Sequence, residues 1–171
     1  MTLTEFNALP SAQAEALLMD CCGCGRWAAA VAACRPYAEK AALYKSADSI
    51  WWNLERADWL EAFSHHPQIG DKPASGSESA RRWAAGEQAG ARAASEDVKA
   101  RMARANRAYF EKFGYIYIVC ATGKSAEAML VILNQRLQND PPSELSTAAE
   151  QQRLITRIRL DKLLAGEQQS S

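Results

Sequence analysis

Apolar residues along this chain recur mostly at helical spacing, and turn-forming residues cut the pattern into segments. Leu3-Thr4-Glu5-Phe6 opens a short helix that Pro10 stops. Ser11 is the expected N-cap of a second helix through Ala16, Leu17 and Leu18, ended by Gly23 and Gly25. Arg26 to Cys34 reads as a third helix, closed by Arg35-Pro36. Asp48 is placed as the cap of a helix from Ser49 to Ser64, in which Ile50, Trp51, Leu54, Leu60 and Phe63 keep a helical period. Pro67, Gly70, Pro73 and Gly76 then mark a loop from His65 to Ser77. Ser77 opens a helix over Glu78 to Ala93, and Ser95-Glu96-Asp97 starts a long one to about Phe113, with Gly114 after its end. Ser125 caps a helix to about Leu137. Asn139-Asp140-Pro141-Pro142 is a break, and Ser143 or Thr147 opens the last helix through Ile155, Ile158, Leu160 and Leu163-Leu164.

One stretch departs from this period. Tyr115-Ile116-Tyr117-Ile118-Val119-Cys120 favours β structure, yet one such run cannot form a sheet by itself. It is read as an extended connector buried between helices. The expectation is therefore all-α: a single compact bundle of about eight helices, with one extended connector near 115–121. There is no internal repeat and no clear linker, so one domain over residues 1–171 is expected.

Composition narrows the function class. Lys+Arg and Asp+Glu balance at 20 each, and the zero net charge argues against a nucleic-acid or membrane-surface partner. No apolar run reaches the ~18 residues of a membrane span. The opening MTLTEFNALP lacks a basic segment before a long apolar one, and Gln168 to Ser171 is no peroxisomal tripeptide, so a cytoplasmic protein is expected. Cys21, Cys22 and Cys24 crowd together, while Cys34 and Cys120 stand apart. Cys21 and Cys24 have C-x-x-C spacing, but no second ligand pair follows, so the cluster reads as packing rather than as a metal or redox centre.

Four places can carry chemistry. The chain has two histidines, His65 and His66, side by side where a helix meets the Pro/Gly-rich loop. Histidine is readily poised as a proton donor near neutral pH; it also commonly satisfies the last carbonyls of a helix, which is the better account of His65. Glu87-Gln88 lies in a helix among Ala84, Ala85, Gly86, Ala89 and Gly90. Small residues let a ligand approach the backbone, or simply another helix. The extended backbone of Tyr117 to Ala121 has N–H and C=O groups that a polar heterocycle, neighbouring side chains or water must satisfy. Arg153, Arg157 and Arg159 form a basic run, mostly a solvated face; Arg159 points to another side, between Ile158 and Leu160.

Taken in order, these segments resemble one family, the 2-oxo-4-hydroxy-4-carboxy-5-ureidoimidazoline (OHCU) decarboxylases. Cys21-Cys22-Gly23 with Arg26-Trp27 and Arg35-Pro36-Tyr37 is similar to its C-C-x-S-x-x-W and R-P-[FY] block. His65-His66-Pro67-Gln68-Ile69-Gly70-Asp71 resembles its H-P-R-I-G-D loop, and Trp83 through Glu87-Gln88-Ala89-Gly90 its S-x-x-E-Q-x-G helix. Phe113 to Ala121 resembles its F-G-[FY]-x-[FY]-[IV]-x-C-A segment, and Arg157-Ile158-Arg159-Leu160 its closing R-[IL]-R-L helix. Gln68 stands where Arg is usual and Ala84 where Ser is common, so a charge contact at the first position and a hydroxyl contact at the second are lost.

The resemblance implies an all-helical, homodimeric enzyme without cofactor or metal. It implies conversion of a small unstable acid to (S)-allantoin, the last step of urate breakdown to allantoin, with His66 as proton donor and Glu87 as its partner. Pro67, Ala84, Ala85, Gly86, Glu87, Gln88, Tyr117, Ile118, Val119, Cys120 and Ala121 would line the site, and Arg159 would help bind the anion. The competing reading is a non-catalytic helical interaction module on the same fold.

Overall fold

A computed structural model describes residues 1–69, 77–87, 89–92 and 94–165. The described residues are all-α, in ten helical segments: α1 Leu3–Ala8, α2 Ser11–Cys22, α3 Gly25–Ala33, α4 Lys40–Trp52, α5 Arg56–Ser64, α6 Glu78–Glu87, α7 Ala89–Arg92, α8 Glu96–Phe113, α9 Ala126–Arg136 and α10 Pro141–Leu163. Residues 115–121 form the extended connector, without strand partners among the described residues. None of the described helices is long and apolar enough to cross a membrane.

The chain falls into two compact units, Met1–Ala62 with Arg153–Ser171, and Phe63–Gln152. In the first, α2 packs on α3 and α3 on α4, around Phe6, Leu18, Trp27, Leu43, Leu160 and Leu164. The buried Trp27 indole donates to the Ala47 carbonyl at 3.0 Å. In the second, α8 packs on α9, and Phe63, Tyr109, Phe113, Tyr115 and Tyr117 make a chain of tilted and edge-on ring contacts.

The helix ends explain where the expected count of about eight differs. Ser49 to Ser64 is two helices. The buried residues Leu43, Tyr44, Ala47 and Trp51 lie on one stripe, which starts α4 at Lys40 and puts Asp48 inside it. The break comes at Asn53, whose side chain donates to the Ser49 carbonyl at 2.7 Å and whose N–H bonds Ile50. Asp58 then accepts the Glu55 N–H at 3.0 Å and starts α5. Residues 78–87 and 89–92 are described as α6 and α7, and positions 88 and 93 of the expected helix lie outside the described residues. Ser77 accepts the Ala80 N–H at 3.1 Å, as expected of a cap.

Two other ends are shifted. Pro10, not Ser11, is the N-cap of α2, and Gly25 is the first residue of α3; Gly23, at φ 77°, closes α2 alone. Pro141 and Pro142 lie in the first turn of α10, where the missing N–H costs nothing. Asp140 is its cap, accepting from the Ser143 N–H at 3.0 Å and the Ser143 hydroxyl at 2.7 Å.

Candidate active site

His66 follows α5 directly. Its N–H reaches the Phe63 carbonyl at 3.2 Å, closing the helix, and its ring is half-buried while His65 is exposed. Pro67 then directs the chain away from helical geometry. The imidazole Nε2 of His66 lies 2.7 Å from Oε1 of Gln152, a fully buried residue of α10. The preceding residue, Gln151, accepts the Cys120 N–H at 2.9 Å. Neighbouring positions of one helix thus hold both the imidazole and the extended connector.

The connector is anchored at several points. Arg136 Nη1 donates to the Ile118 carbonyl at 2.7 Å. Lys124 Nζ donates to the Cys120 carbonyl at 2.8 Å and its N–H to the Ala121 carbonyl at 3.0 Å. Among the described residues nothing pairs with the N–H and C=O of Val119. Extended backbone with such groups offers donor and acceptor edges to a planar amide-bearing ring. The phenol of Tyr117 is not available for this. It is buried, donates to the Met129 carbonyl at 3.2 Å and lies under the Arg136 guanidinium. Burial raises its pKa. Contact from position 117 would therefore come from backbone.

Beneath the connector lies a buried charged cluster. Arg136 Nε and Nη2 donate to Glu144 Oε1 at 2.8 and 2.5 Å, the Tyr109 hydroxyl donates to the same oxygen, and Asn139 Nδ2 donates to Oε2 at 2.8 Å. Burial works to lower the pKa of Arg136, but its bonds to Glu144 and the tyrosines beside it leave it raised. Burial and the bond to Glu144 raise Tyr109, so its phenol stays protonated.

Glu87 is the last residue of α6 and is half-buried. Ala84 is buried, Ala85 half-buried and Gly86 exposed; Gln88 lies outside the described residues, as do Gly70 and Asp71 of the loop motif. At 100° per residue Glu87 lies 60° from Ala84, whereas Gly86 points away. The two glycines differ in kind. A Cβ on Gly86 would meet nothing within 4 Å, while one on Gly90 would lie 2.2 Å from the Lys124 carbonyl oxygen. Gly90 is thus needed for the close approach of α7 to the turn that ends the connector. Glu87 ends the preceding helix, α6.

Arg159 belongs to the first unit. It is buried rather than solvated, and its Nη1 donates to the Asp20 carbonyl at 3.2 Å. Arg157 stacks over the Tyr44 ring at 3.3 Å from its centroid, and Arg153 pairs with Asp48 at 3.0 Å.

Residues 7–161 match the family model described as OHCU decarboxylase. The chain belongs to the OHCU decarboxylase family. Among similar proteins, the Arabidopsis thaliana uric acid degradation bifunctional protein TTL is 38% identical over 148 residues, which is 85% of this chain and 45% of that protein. The 2-oxo-4-hydroxy-4-carboxy-5-ureidoimidazoline decarboxylase of Amia calva is 37% identical over 65 residues, 38% of this chain and 37% of that one. These matches therefore span less than half the length of each curated relative. A crystal structure of an OHCU decarboxylase in the presence of (S)-allantoin is 33% identical, with a TM-score of 0.77 over 88% of this chain and 98% of that chain. A crystal structure of (S)-allantoin synthase, 18% identical, shares the fold with a TM-score of 0.73 over 95% of this chain and 53% of that one.

In this OHCU decarboxylase family member Cys21, Cys22 and Cys24 are buried free thiols. Cys24 is the N-cap of α3, its sulfur accepting the Trp27 N–H at 3.5 Å. Burial raises the thiol pKa of both Cys22 and Cys24, which disfavours thiolate chemistry. Cys24, Asp58 and Glu61 do bring ligand-type atoms within 4.8 Å of one another. Each is already engaged at the start of α3: Glu61 accepts the Gly25 N–H at 3.2 Å and Asp58 pairs with Arg26 at 3.1 Å.

Gln151 and Gln152 were not among the expected site residues. A signal for Gln152 exists in the sequence. It falls on the stripe Ala148, Ala149, Gln152, Ile155, Thr156, Arg159, Leu160, every member of which is buried. A polar residue on such a stripe must find a partner.

Proposed function

We propose that this chain is a single domain, residues 1–171, that decarboxylates 2-oxo-4-hydroxy-4-carboxy-5-ureidoimidazoline to (S)-allantoin without cofactor or metal. The observation that carries this reading is the likeness, over almost the whole chain, to an OHCU decarboxylase solved in the presence of (S)-allantoin.

The chemistry asks little of the protein. The bond to the carboxylate breaks, CO₂ leaves, and the electron pair passes into the substrate's own conjugated ring, so no external electron sink is needed. The resulting enolate-like carbon then takes one proton on one face. His66 supplies that proton and regains it from solvent. Glu87 holds the substrate's hydroxyl or ureido group, or keeps His66 charged. Pro67, Ala84 to Gln88 and the backbone of Tyr117 to Ala121 line the site, and the free edges of Val119 fit the ring amide. Arg159 binds an anionic or carbonyl oxygen of the substrate; this assignment rests on the resemblance. Positioning and one acid supply the rate and the handedness. The protein acts as a cytoplasmic homodimer on a small-molecule substrate, with no nucleic-acid or membrane partner.

The test is chiral. The chain is added to freshly generated urate-oxidation intermediate and optical activity is followed. Catalysed formation of enriched (S)-allantoin is expected, unaffected by exhaustive EDTA treatment. A rate and optical outcome equal to the uncatalysed decay would overturn the reading, and loss of activity in EDTA restored by zinc would overturn its metal-free chemistry.

A further inference from the structure

We infer that Gln152 is a positioning residue for the acid: its Oε1 holds a proton on Nε2 of His66, so that the proton delivered to substrate is the one on Nδ1. This deepens the proposed function and rests on His66 being the acid.

Gln152 is fully buried on the core-facing stripe of α10, where an apolar side chain would pack without loss. A buried amide is costly unless it is hydrogen-bonded. Its Oε1 lies 2.7 Å from His66 Nε2, a distance at which one group must donate. An amide oxygen only accepts, so the ring nitrogen carries the hydrogen. The other ring nitrogen, Nδ1, is then the one whose protonation changes during turnover.

The choice of an amide suits an acid. A carboxylate there would bind the imidazolium strongly and resist proton release. A neutral amide fixes ring orientation and tautomer with little added bias. The same turn of α10 presents Gln151 to the Cys120 N–H at 2.9 Å. One rigid helix therefore sets the acid and the connector in register, as positioned catalysis requires.

The experiment uses the chain's having two histidines, of which His65 is exposed. Imidazole ¹H–¹⁵N spectra of the full chain are recorded at a pH where both rings are neutral, with His65→Asn for assignment. His66 should show one tautomer, protonated on Nε2, with that proton slow to exchange, while His65 exchanges freely. Gln152→Met should lose the slow proton and about 10-fold in kcat, with KM changed less than about 2-fold; this corresponds to one hydrogen bond to a charged group. Gln152→Glu retains an acceptor and should keep the slow Nε2 proton, while its carboxylate holds the imidazolium and keeps kcat below wild type. A neutral wild-type His66 protonated on Nδ1 would overturn the inference, and needs no variant. So would a folded Gln152→Met with full kcat, or a folded Gln152→Glu that lacks the slow Nε2 proton. Chiral turnover surviving in His66→Asn would instead defeat the acid assignment itself. An inactive His66→Asn beside an unimpaired Gln152→Met would defeat only the role of Gln152.

Discussion

Arg136 and Glu144 are predicted to be strongly coupled, and their coupling should separate stability from function. Arg136→Met leaves the fully buried Glu144 with only Tyr109 and Asn139 as donors. Breaking a buried ion pair from one side costs about 3–5 kcal/mol. Glu144→Leu leaves the guanidinium unpaired at a similar cost. Each is a large part of the ~5–15 kcal/mol of a typical domain. In the double variant both charges are gone. What remains unpaired is chiefly the Ile118 carbonyl and the Tyr109 hydroxyl, at about 1–3 kcal/mol each. The double variant should therefore be less destabilised than the sum of the singles, by about 2 kcal/mol or more. Urea unfolding followed by tryptophan fluorescence and circular dichroism gives the cycle. Function should divide differently. Arg136 Nη1 holds the Ile118 carbonyl at 2.7 Å, so Arg136→Met and the double variant release the connector and lose kcat/KM, whereas Glu144→Leu keeps that bond. A double variant whose loss equals the sum of the singles within about 0.5 kcal/mol would refute the coupling.

Gly90→Ala should destabilise by about 1–3 kcal/mol, because its methyl would meet backbone at 2.2 Å, and Gly86→Ala, with open space, should gain up to about 1 kcal/mol of helix propensity; equal urea midpoints for the two would contradict the packing described. Cys21→Ser and Cys24→Ser should keep turnover, since Cys24 acts as a helix cap that Ser replaces well; a loss of ~100-fold in kcat without unfolding would show a chemical role. Arg159→Ala should weaken substrate binding by about 1.5–3 kcal/mol, read as KM in a variant whose folding is checked by circular dichroism; unchanged KM and kcat would assign Arg159 to structure alone.

The helices were legible because their apolar period survives whatever they pack against. Ser77, Ser95 and Ser125 could be read as caps because each side chain takes the N–H three residues on. The start of α4 was hidden: Glu39 makes no capping bond there, and Asp48 offers an attractive cap that the stripe Leu43, Tyr44, Ala47, Trp51 overrides. Pro141-Pro142 read as a break because prolines start helices as readily as they end them. His66 stood out because the chain has two histidines and one precedes proline. The Arg136–Glu144 cluster left no mark, since its members come from separate helices and only folding brings them together. Gln152 was marked only by its place on a stripe of otherwise mostly apolar positions, all buried in the fold, and Gln151, half-buried, by nothing until its bond to the connector was seen.

In the proposed mechanism His66, and not its neighbour, delivers the proton. Pro67 biases His66 toward extended backbone, and Gln152 holds its ring, whereas His65 is exposed. The direct measurement is the enantiomeric composition and rate of allantoin formed by His66→Asn and His65→Asn side by side, with circular dichroism in the far ultraviolet as the folding control. A positioned acid contributes ~10²–10⁴-fold, so His66→Asn should lose that much kcat and yield product approaching the uncatalysed mixture, while His65→Asn forms (S)-allantoin at close to the wild-type rate. A folded His66→Asn that makes (S)-allantoin at the wild-type rate would contradict the account.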